Sequence, residues 1–184
     1  EAKFEVCAHK WVDMSDGKYG ISLLNDSKYG YSVDGSDLAL TVLKSGSYPF
    51  NEATDICPEF KFALFPHKGT YQNDELIKEA YAFNRPAIIY NNQNAKTYHN
   101  VKQSFVSLLT SGVVVETFKK ACHEDAYILR GYETSNRSHE VSLKVNLPFT
   151  KAYKTDLLEN NLGTLASKKG IIKFKVKPFE IFTL

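Results

Sequence analysis

The stretch that decides the fold is VSLKVNL, residues 141–147. Its apolar side chains alternate with polar ones, which is the period of a β-strand with one buried face and one face in water. The same alternation returns at residues 171–177, where apolar side chains alternate with lysines. Pro178 follows, and because proline cannot donate to a strand ladder we expect the strand to break there. The pattern therefore predicts an antiparallel sheet that ends in a hairpin or meander.

Short runs of valine, isoleucine, threonine, tyrosine and phenylalanine recur between turn residues along the rest of the chain. Such runs are typical of strands. The further strands predicted in this way are Phe4–Val12, Gly20–Leu24, Leu38–Leu43, Phe60–Phe65, Phe105–Leu109, Val113–Phe118 and Ala126–Tyr132.

One segment has the signals of a helix, residues 73–84. Asn73 is a suitable N-cap, and Asp74 and Glu75 place acidic groups in the first turn. Arg85 precedes Pro86, and a residue before proline disfavours the helical region, so we expect the helix to stop there. The fold class predicted is all-β with one short helix.

A polar stretch without periodicity, residues 91–97, is the best boundary between two parts of the chain. We place the division near residue 100, with a first region of residues 1–100 and a second of residues 104–184.

Composition excludes several classes of function. The net charge is +2 and basic residues are scattered, so the basic stripe of a nucleic-acid binder is missing. No apolar run approaches the roughly 20 residues that a membrane span needs. Three cysteines are too few for a disulfide framework, which favours a reducing, cytoplasmic compartment.

The residues alone assign no catalytic and no metal-binding group. The five histidines lie outside any G-x-S-x-G or HExxH setting, and no CxxC spacing suggests zinc. Residues 122–125, Cys-His-Glu-Asp, combine reactive types, but we interpret them as a turn between two strands. The aspartates of the first half lie mostly beside glycine or serine, which is typical of turns.

Several motifs, taken in order, resemble one enzyme family. Residues 4–15 (FEVCAHKWVDMS) and 19–31 (YGISLLNDSKYGY) closely resemble the family 38 α-mannosidase pattern FEVPxHRWADLSE…YGVALLNDCKYGY. Residues 60–69 (FKFALFPHKG), 79–84 (EAYAFN), 155–159 (TDLLE) and 177–184 (KPFEIFTL) are similar to later motifs of that family. The resemblance covers essentially the whole chain.

The resemblance implies an α-mannosidase that hydrolyses terminal α-mannosides by a retaining mechanism, with zinc or another divalent metal. It also implies that the catalytic and metal-binding residues lie in an N-terminal catalytic region, because no segment here matches those motifs. Residues 1–100 would be the last strands of a large β-sandwich, and residues 104–184 a smaller, immunoglobulin-like β-sandwich. This chain would bind no metal and would be inactive alone.

On this interpretation the chain completes the sugar cleft. The candidate residues lie on two segments, each of which could equally be an ordinary turn or a solvated strand end: Asn25, Asp26, Lys28, Tyr29, Lys44 and Ser45. Lys44 and Lys10 stand where the family usually has arginine, and a lysine gives a point charge in place of a bidentate fork. Trp11 could stack on a sugar, but a lone tryptophan in an apolar strand is more often part of a core.

Two other classes of function remain open. One is a carbohydrate-binding β-sandwich module, and the other is a structural dimerisation domain. The partners expected are the chain's own N-terminal catalytic region and an α-mannoside, with homo-oligomerisation left open and no nucleic acid or membrane.

Overall fold

A computed structural model describes residues 4–44, 46, 48–49, 59–91 and 103–184. The chain divides into two compact units, Glu1–Asn91 and Asn92–Leu184. The structure is mostly β with one short helix, so the predicted all-β class is confirmed. No helix in the described part of the chain is long and apolar enough to cross a membrane.

The first unit contains two three-stranded antiparallel sheets and the helix. One sheet has the order β2-β3-β6 and the other the order β1-β4-β5. The elements are β1 (Val6–Cys7), β2 (Trp11–Ser15), β3 (Tyr19–Asn25), β4 (Gly30–Asp34), β5 (Asp37–Thr41), β6 (Phe62–Lys68) and α1 (Asp74–Asn84).

Helix α1 begins and ends where the sequence predicts. The Asn73 side chain accepts the backbone N–H groups of Glu75 and Leu76, which would otherwise be unsatisfied. The helix buries Leu76 and Ala80 against Leu24 of β3. Trp11 packs beside this cluster, as expected for a core tryptophan.

The predicted strand Phe4–Val12 is wrong as a single element. The chain bends between β1 and β2, which belong to different sheets, and Lys10 has a φ of 70°. A lysine in this left-handed region is uncommon, since glycine and asparagine are the residues that usually adopt it. The sequence therefore has no residue here that would predict the bend.

The second unit is built from one sheet of eight strands in the order β7-β10-β13-β12-β11-β14-β9-β8. Strand β12 joins two halves, since its first part pairs with β11 and its last part with β13. The strands are β7 (Val106–Leu108), β8 (Val113–Lys120), β9 (Tyr127–Glu133), β10 (His139–Val145), β11 (Ala152–Thr155), β12 (Asn161–Lys168), β13 (Ile171–Val176) and β14 (Ile181–Thr183).

The alternation that predicted the sheet is confirmed in β10 and β13. Val141 and Leu143 are fully buried and pair with Phe174 and Ile172 of β13. Between them, lysine side chains of β13 are exposed. Strand β13 ends at Val176 and β14 begins at Ile181, so the break predicted at Pro178 is present.

Candidate functional site

The turn between β3 and β4 carries four of the residues predicted for the site. Asn25 is the last residue of β3 and is fully buried. Asp26 and Lys28 are half-buried, and Tyr29 is 49% exposed. Of the four predicted side chains on the turn, one is therefore buried and three are partly accessible.

Asn25 anchors the turn through both its side chain and its backbone. Its Oδ1 accepts the backbone N–H of Lys28 at 2.7 Å, and its Nδ2 donates to the hydroxyl of Tyr31. Its backbone N–H donates to the carbonyl of Lys10 at 3.0 Å, and its carbonyl accepts Nδ2 of Asn84 at 2.8 Å. Three separate segments thus hold one residue, so the turn that follows has a fixed starting point.

Tyr31 closes the inner side of this network and is fully buried. Burial raises the pKa of the Tyr31 hydroxyl, and the hydrogen bond from Asn25 opposes that rise in part. The hydroxyl is therefore neutral at physiological pH and can accept the Asn25 N–H while donating elsewhere.

The outward side chains have their own neighbours. Asp26 accepts the Ser27 hydroxyl at 3.1 Å. The ammonium of Lys28 lies 5.9 Å from the centre of the Phe60 ring. Tyr29 meets His9 edge to face, with ring centres 4.6 Å apart. The turn thus carries a carboxylate, an ammonium and an aromatic ring within four consecutive residues.

The turn between β1 and β2 lies against the same edge, which sequence reasoning missed. The backbone N–H of Ala8 donates to the carbonyl of Tyr29 at 3.0 Å. The ammonium of Lys10 lies 4.8 Å from the centre of the Tyr81 ring on α1. The candidate site therefore also includes His9, Lys10 and Tyr81. These residues lie in the segments 4–15 and 79–84, whose similarity to the family motifs could have identified them.

Lys44 follows β5 and is exposed. Gly30 of β4 pairs with Thr41 of β5, so the chain leaves β5 at the end of the sheet where the Asp26–Tyr29 turn enters it. Ser45, the last predicted residue, lies outside the described residues. No contact between Lys44 and the turn is described, and its place in the site stays a prediction.

A second polar cluster lies on the helix-covered face of β2-β3-β6. Nε2 of His67 lies 2.7 Å from Oδ1 of Asp13, and the hydroxyl of Ser22 donates to the same oxygen at 2.6 Å. Asp13 and Ser22 both contact Nε2 of His67. A catalytic triad needs the acid and the nucleophile on opposite ring nitrogens of the histidine, so this cluster is not a triad. A Cβ at Gly20 would lie 2.5 Å from the His67 ring, so glycine makes room for this structural cluster.

The residues that the structure describes contain no cluster of side chains suited to binding a metal ion. No three histidine, cysteine, aspartate or glutamate side chains come together there as ligands would. The expectation that a divalent metal would be bound by the N-terminal catalytic region stays a prediction.

The second unit places its charged side chains in structural roles. Glu133 is buried and accepts the backbone N–H groups of Ser135, Asn136 and Phe179. Burial raises the pKa of Glu133, but the Ser135 hydroxyl and these backbone donors outweigh burial, and the net pKa is lowered. Residues 121–126, which include the predicted Cys-His-Glu-Asp turn, do connect β8 to β9.

Comparison with known proteins gives one consistent family. The sequence description "Glycosyl hydrolases family 38 C-terminal domain" matches residues 1–52. A second, "Glycosyl hydrolases family 38 C-terminal beta sandwich domain", matches residues 112–184.

Similar curated proteins are much longer than this chain. "Alpha-mannosidase 2C1" from Homo sapiens is 35% identical over 100% of this chain and 18% of its own length. "Alpha-mannosidase G" from Dictyostelium discoideum is 33% identical over 99% of this chain and 17% of its own length. The chain thus spans about a fifth of the curated relatives it matches.

Among solved structures, an α-mannosidase from Enterococcus faecalis V583 superposes with a TM-score of 0.79 at 16% identity. The match covers 100% of this chain and 21% of that one. At this identity the likeness concerns the fold.

Proposed function

Because the chain belongs to the C-terminal region of glycosyl hydrolases family 38, we propose that it is the non-catalytic, cleft-completing part of an α-mannosidase. The full-length protein would hydrolyse terminal α-mannosides by a retaining, metal-dependent mechanism. The two carboxyl groups of that mechanism would come from the N-terminal catalytic region, and the Asp26–Tyr29 turn would supply contacts to sugar hydroxyls.

The observation that carries this proposal is the anchoring of Asn25. Four hydrogen bonds fix the residue at which the turn starts, while the side chains of Asp26, Lys28 and Tyr29 remain partly accessible. A carboxylate and an ammonium beside an aromatic ring are the groups that bind sugar hydroxyls and the apolar face of a sugar ring. A polar turn that is held rigidly by the residues behind it is better suited to positioning a ligand than a mobile surface loop is.

The β2-β3-β6 sheet supports an N-terminal partner within the same polypeptide. Its helix-covered face carries Trp11 and Leu24, yet its other face is apolar too, with Leu23, Phe62 and Leu64 in register. Phe62 and Leu64 are 56% and 62% exposed. A sheet that is apolar on both faces is typical of a central layer, so we propose that upstream polypeptide covers the open face.

Substitution of Asp26 in the full-length α-mannosidase tests the proposal. We expect Asp26→Ala to lower kcat/KM for an aryl α-mannoside by about tenfold to a hundredfold, because lost positioning alone can cost that much. Lys44→Ala should act in the same direction. Asp34→Ala is the matched control. Asp34 is an exposed aspartate at the C-terminal end of β4, whereas the Asp26–Tyr29 turn leads into the N-terminal end of that strand.

Wild-type kinetics in both Asp26→Ala and Lys44→Ala would contradict the role of this surface. The 184-residue chain alone should not turn over the substrate, with or without added zinc. Turnover by this chain would contradict the proposal that the catalytic groups come from the N-terminal catalytic region. Saturable sub-millimolar binding of mannose-type sugars by the isolated chain would instead favour a carbohydrate-binding module.

We also propose a reducing, cytosolic location. Cys7 and Cys122 are both free and exposed, which suits a compartment where thiols stay reduced. Blue-native electrophoresis of the protein with and without reductant would reveal any mixed disulfide that contradicts this.

A further inference from the structure

The two ends of strand β9 differ sharply. At its C-terminal end, Glu133 is buried and ties together the loop after β9 and the turn after β13, through Ser135, Asn136 and Phe179. At its N-terminal end, Tyr127 borders a cavity of about 920 Å³. One end of the sandwich is therefore closed by hydrogen bonds and the other is open.

The open end has an apolar floor and a rim on which large apolar side chains alternate with charged ones such as Glu124 and Asp125. Leu129, Ile172 and Leu184 form part of the floor and belong to the buried core or line it. The rim includes Phe118, Tyr127, Phe149 and Leu158, which are all exposed. Large exposed apolar patches of this kind on a soluble domain mark interaction surfaces.

The rim is held in place. Leu158 is 77% exposed, yet its backbone N–H donates to Asp156 at 2.8 Å, and Asp156 also accepts Asn160. The adjacent Glu159 accepts the Lys119 ammonium and, at 2.8 Å, the backbone N–H of Cys122. A large leucine that is exposed on a turn fixed at both sides is preorganised for contact, because the backbone of the turn is already ordered before docking.

We propose that this open end is the docking surface for an apolar segment of the upstream polypeptide, which enters the cavity and covers the rim. The inference rests on the proposed function in one respect, that the chain is part of a longer α-mannosidase. About four fifths of the length of the curated relatives lies outside the part that this chain matches, so the occupant is within the same molecule at high effective concentration.

Amide hydrogen exchange compares the full-length polypeptide with the 184-residue chain. Peptides from residues 118–129 and 147–160 should exchange about tenfold more slowly in the full-length protein, a difference of about 1.4 kcal/mol in opening free energy. Leu158→Asp and Tyr127→Asp should remove that protection in the full-length protein and leave the 184-residue chain unchanged. Leu162→Asp is the control, since Leu162 is 63% exposed on the same unit but does not line the cavity.

Each of the next four outcomes overturns the proposal. Equal exchange in the two wild-type proteins means that nothing upstream covers the surface. Equal loss of protection in both contexts means that Leu158 and Tyr127 serve only the sandwich itself. Concentration-dependent protection of the isolated chain points to a second copy, and Tyr127-dependent binding of anilinonaphthalene sulfonate to the full-length protein points to an open site for a small amphiphile. Wild-type turnover by full-length Asp26→Ala with normal protection would sink the proposed function alone.

Discussion

The two units of the chain solve the problem of burying a core differently. The second unit joins eight strands into one continuous sheet around ten buried apolar residues, which include Val141, Leu143 and Phe174. The first unit has two separate three-stranded sheets, and its cluster under the helix has Leu24, Leu76 and Ala80 as its buried members. Among the residues that the structure describes, the second unit thus has the larger continuous core.

The difference extends to the polar groups. In the second unit, buried or paired carboxylates such as Glu133 and Glu159 fasten loops to strands. In the first unit, buried Asn25 fastens a turn whose next side chains stay partly accessible, while Asp13, Ser22 and His67 form a buried structural cluster. The first unit therefore combines structural polar burial with an anchored, accessible turn.

The largest effect should come from the second core. Leu143→Ala removes a fully buried side chain, and we expect it to destabilise the second unit by about 3 kcal/mol through lost burial and the cavity left behind. Hydrogen exchange of β10 and β13 peptides measures this loss. Leu24→Ala, read by the fluorescence of the single tryptophan Trp11 beside it, should cost less, about 2 kcal/mol, because its cluster is smaller. Equal costs would remove the contrast between the units.

A smaller loss is expected from Glu133. Glu133→Gln exchanges an acceptor-only carboxylate for an amide, so one side-chain oxygen that now accepts backbone N–H groups becomes a donor that opposes them. We expect a loss of about 2 kcal/mol in the second unit by denaturant unfolding. Glu140→Gln is the control, since Glu140 is exposed and pairs with Lys173 across the strands. Matching losses in the two variants would show that the buried network is no more important than a surface pair.

The smallest effect is the response of the second unit to acid. The hydrogen bonds from Lys119 and the Cys122 backbone lower the pKa of Glu159 from 4.5 to about 2, and the side chain and backbone of Asn160 lower the pKa of Asp156. A lowered folded-state pKa contributes stability that is present above the unfolded value and is lost as pH falls through the folded one. Thermal midpoints of the second unit should therefore fall between about pH 4.5 and pH 2.

Glu159→Gln should flatten part of that decline, and the effect should be modest because its main partner, the Lys119 ammonium, belongs to a side chain that is 37% exposed to screening solvent. An unchanged slope in Glu159→Gln would show that this carboxylate contributes nothing to the acid response. The Glu140→Gln control described above should leave the slope of the decline unaltered.

The sequence correctly predicted the elements whose structure depends on residues close together in the chain. Helix α1 follows from its cap, its acidic first turn and the Arg85-Pro86 stop, all within a few residues. The alternation in β10 and β13 predicted their faces for the same reason. Strand β12 escaped prediction because its side chains are mostly exposed on both faces and its sequence, NLGTLASK, lacks β-branched and aromatic runs.

Long-range contacts decided the rest. The motif similarity selected Asn25, but one of its hydrogen bonds comes from Asn84, which is 59 residues away in the sequence. The turn at Lys10 requires a left-handed backbone that no glycine announces. Neither feature has a local pattern, so the sequence could name the segment and not the inward or outward direction of its side chains.

The central claim is that the anchored Asn25 turn presents Asp26 to the substrate, and a double-mutant cycle in the full-length enzyme tests it most directly. Asn84→Ala removes the hydrogen bond to the Asn25 carbonyl without touching the outward side chains. We predict that it lowers kcat/KM for an aryl α-mannoside by about tenfold through lost positioning when Asp26 is present. In the Asp26→Ala background the same change should have little further effect. Equal losses in the two backgrounds, or wild-type kinetics in the single Asn84→Ala variant, would contradict the account.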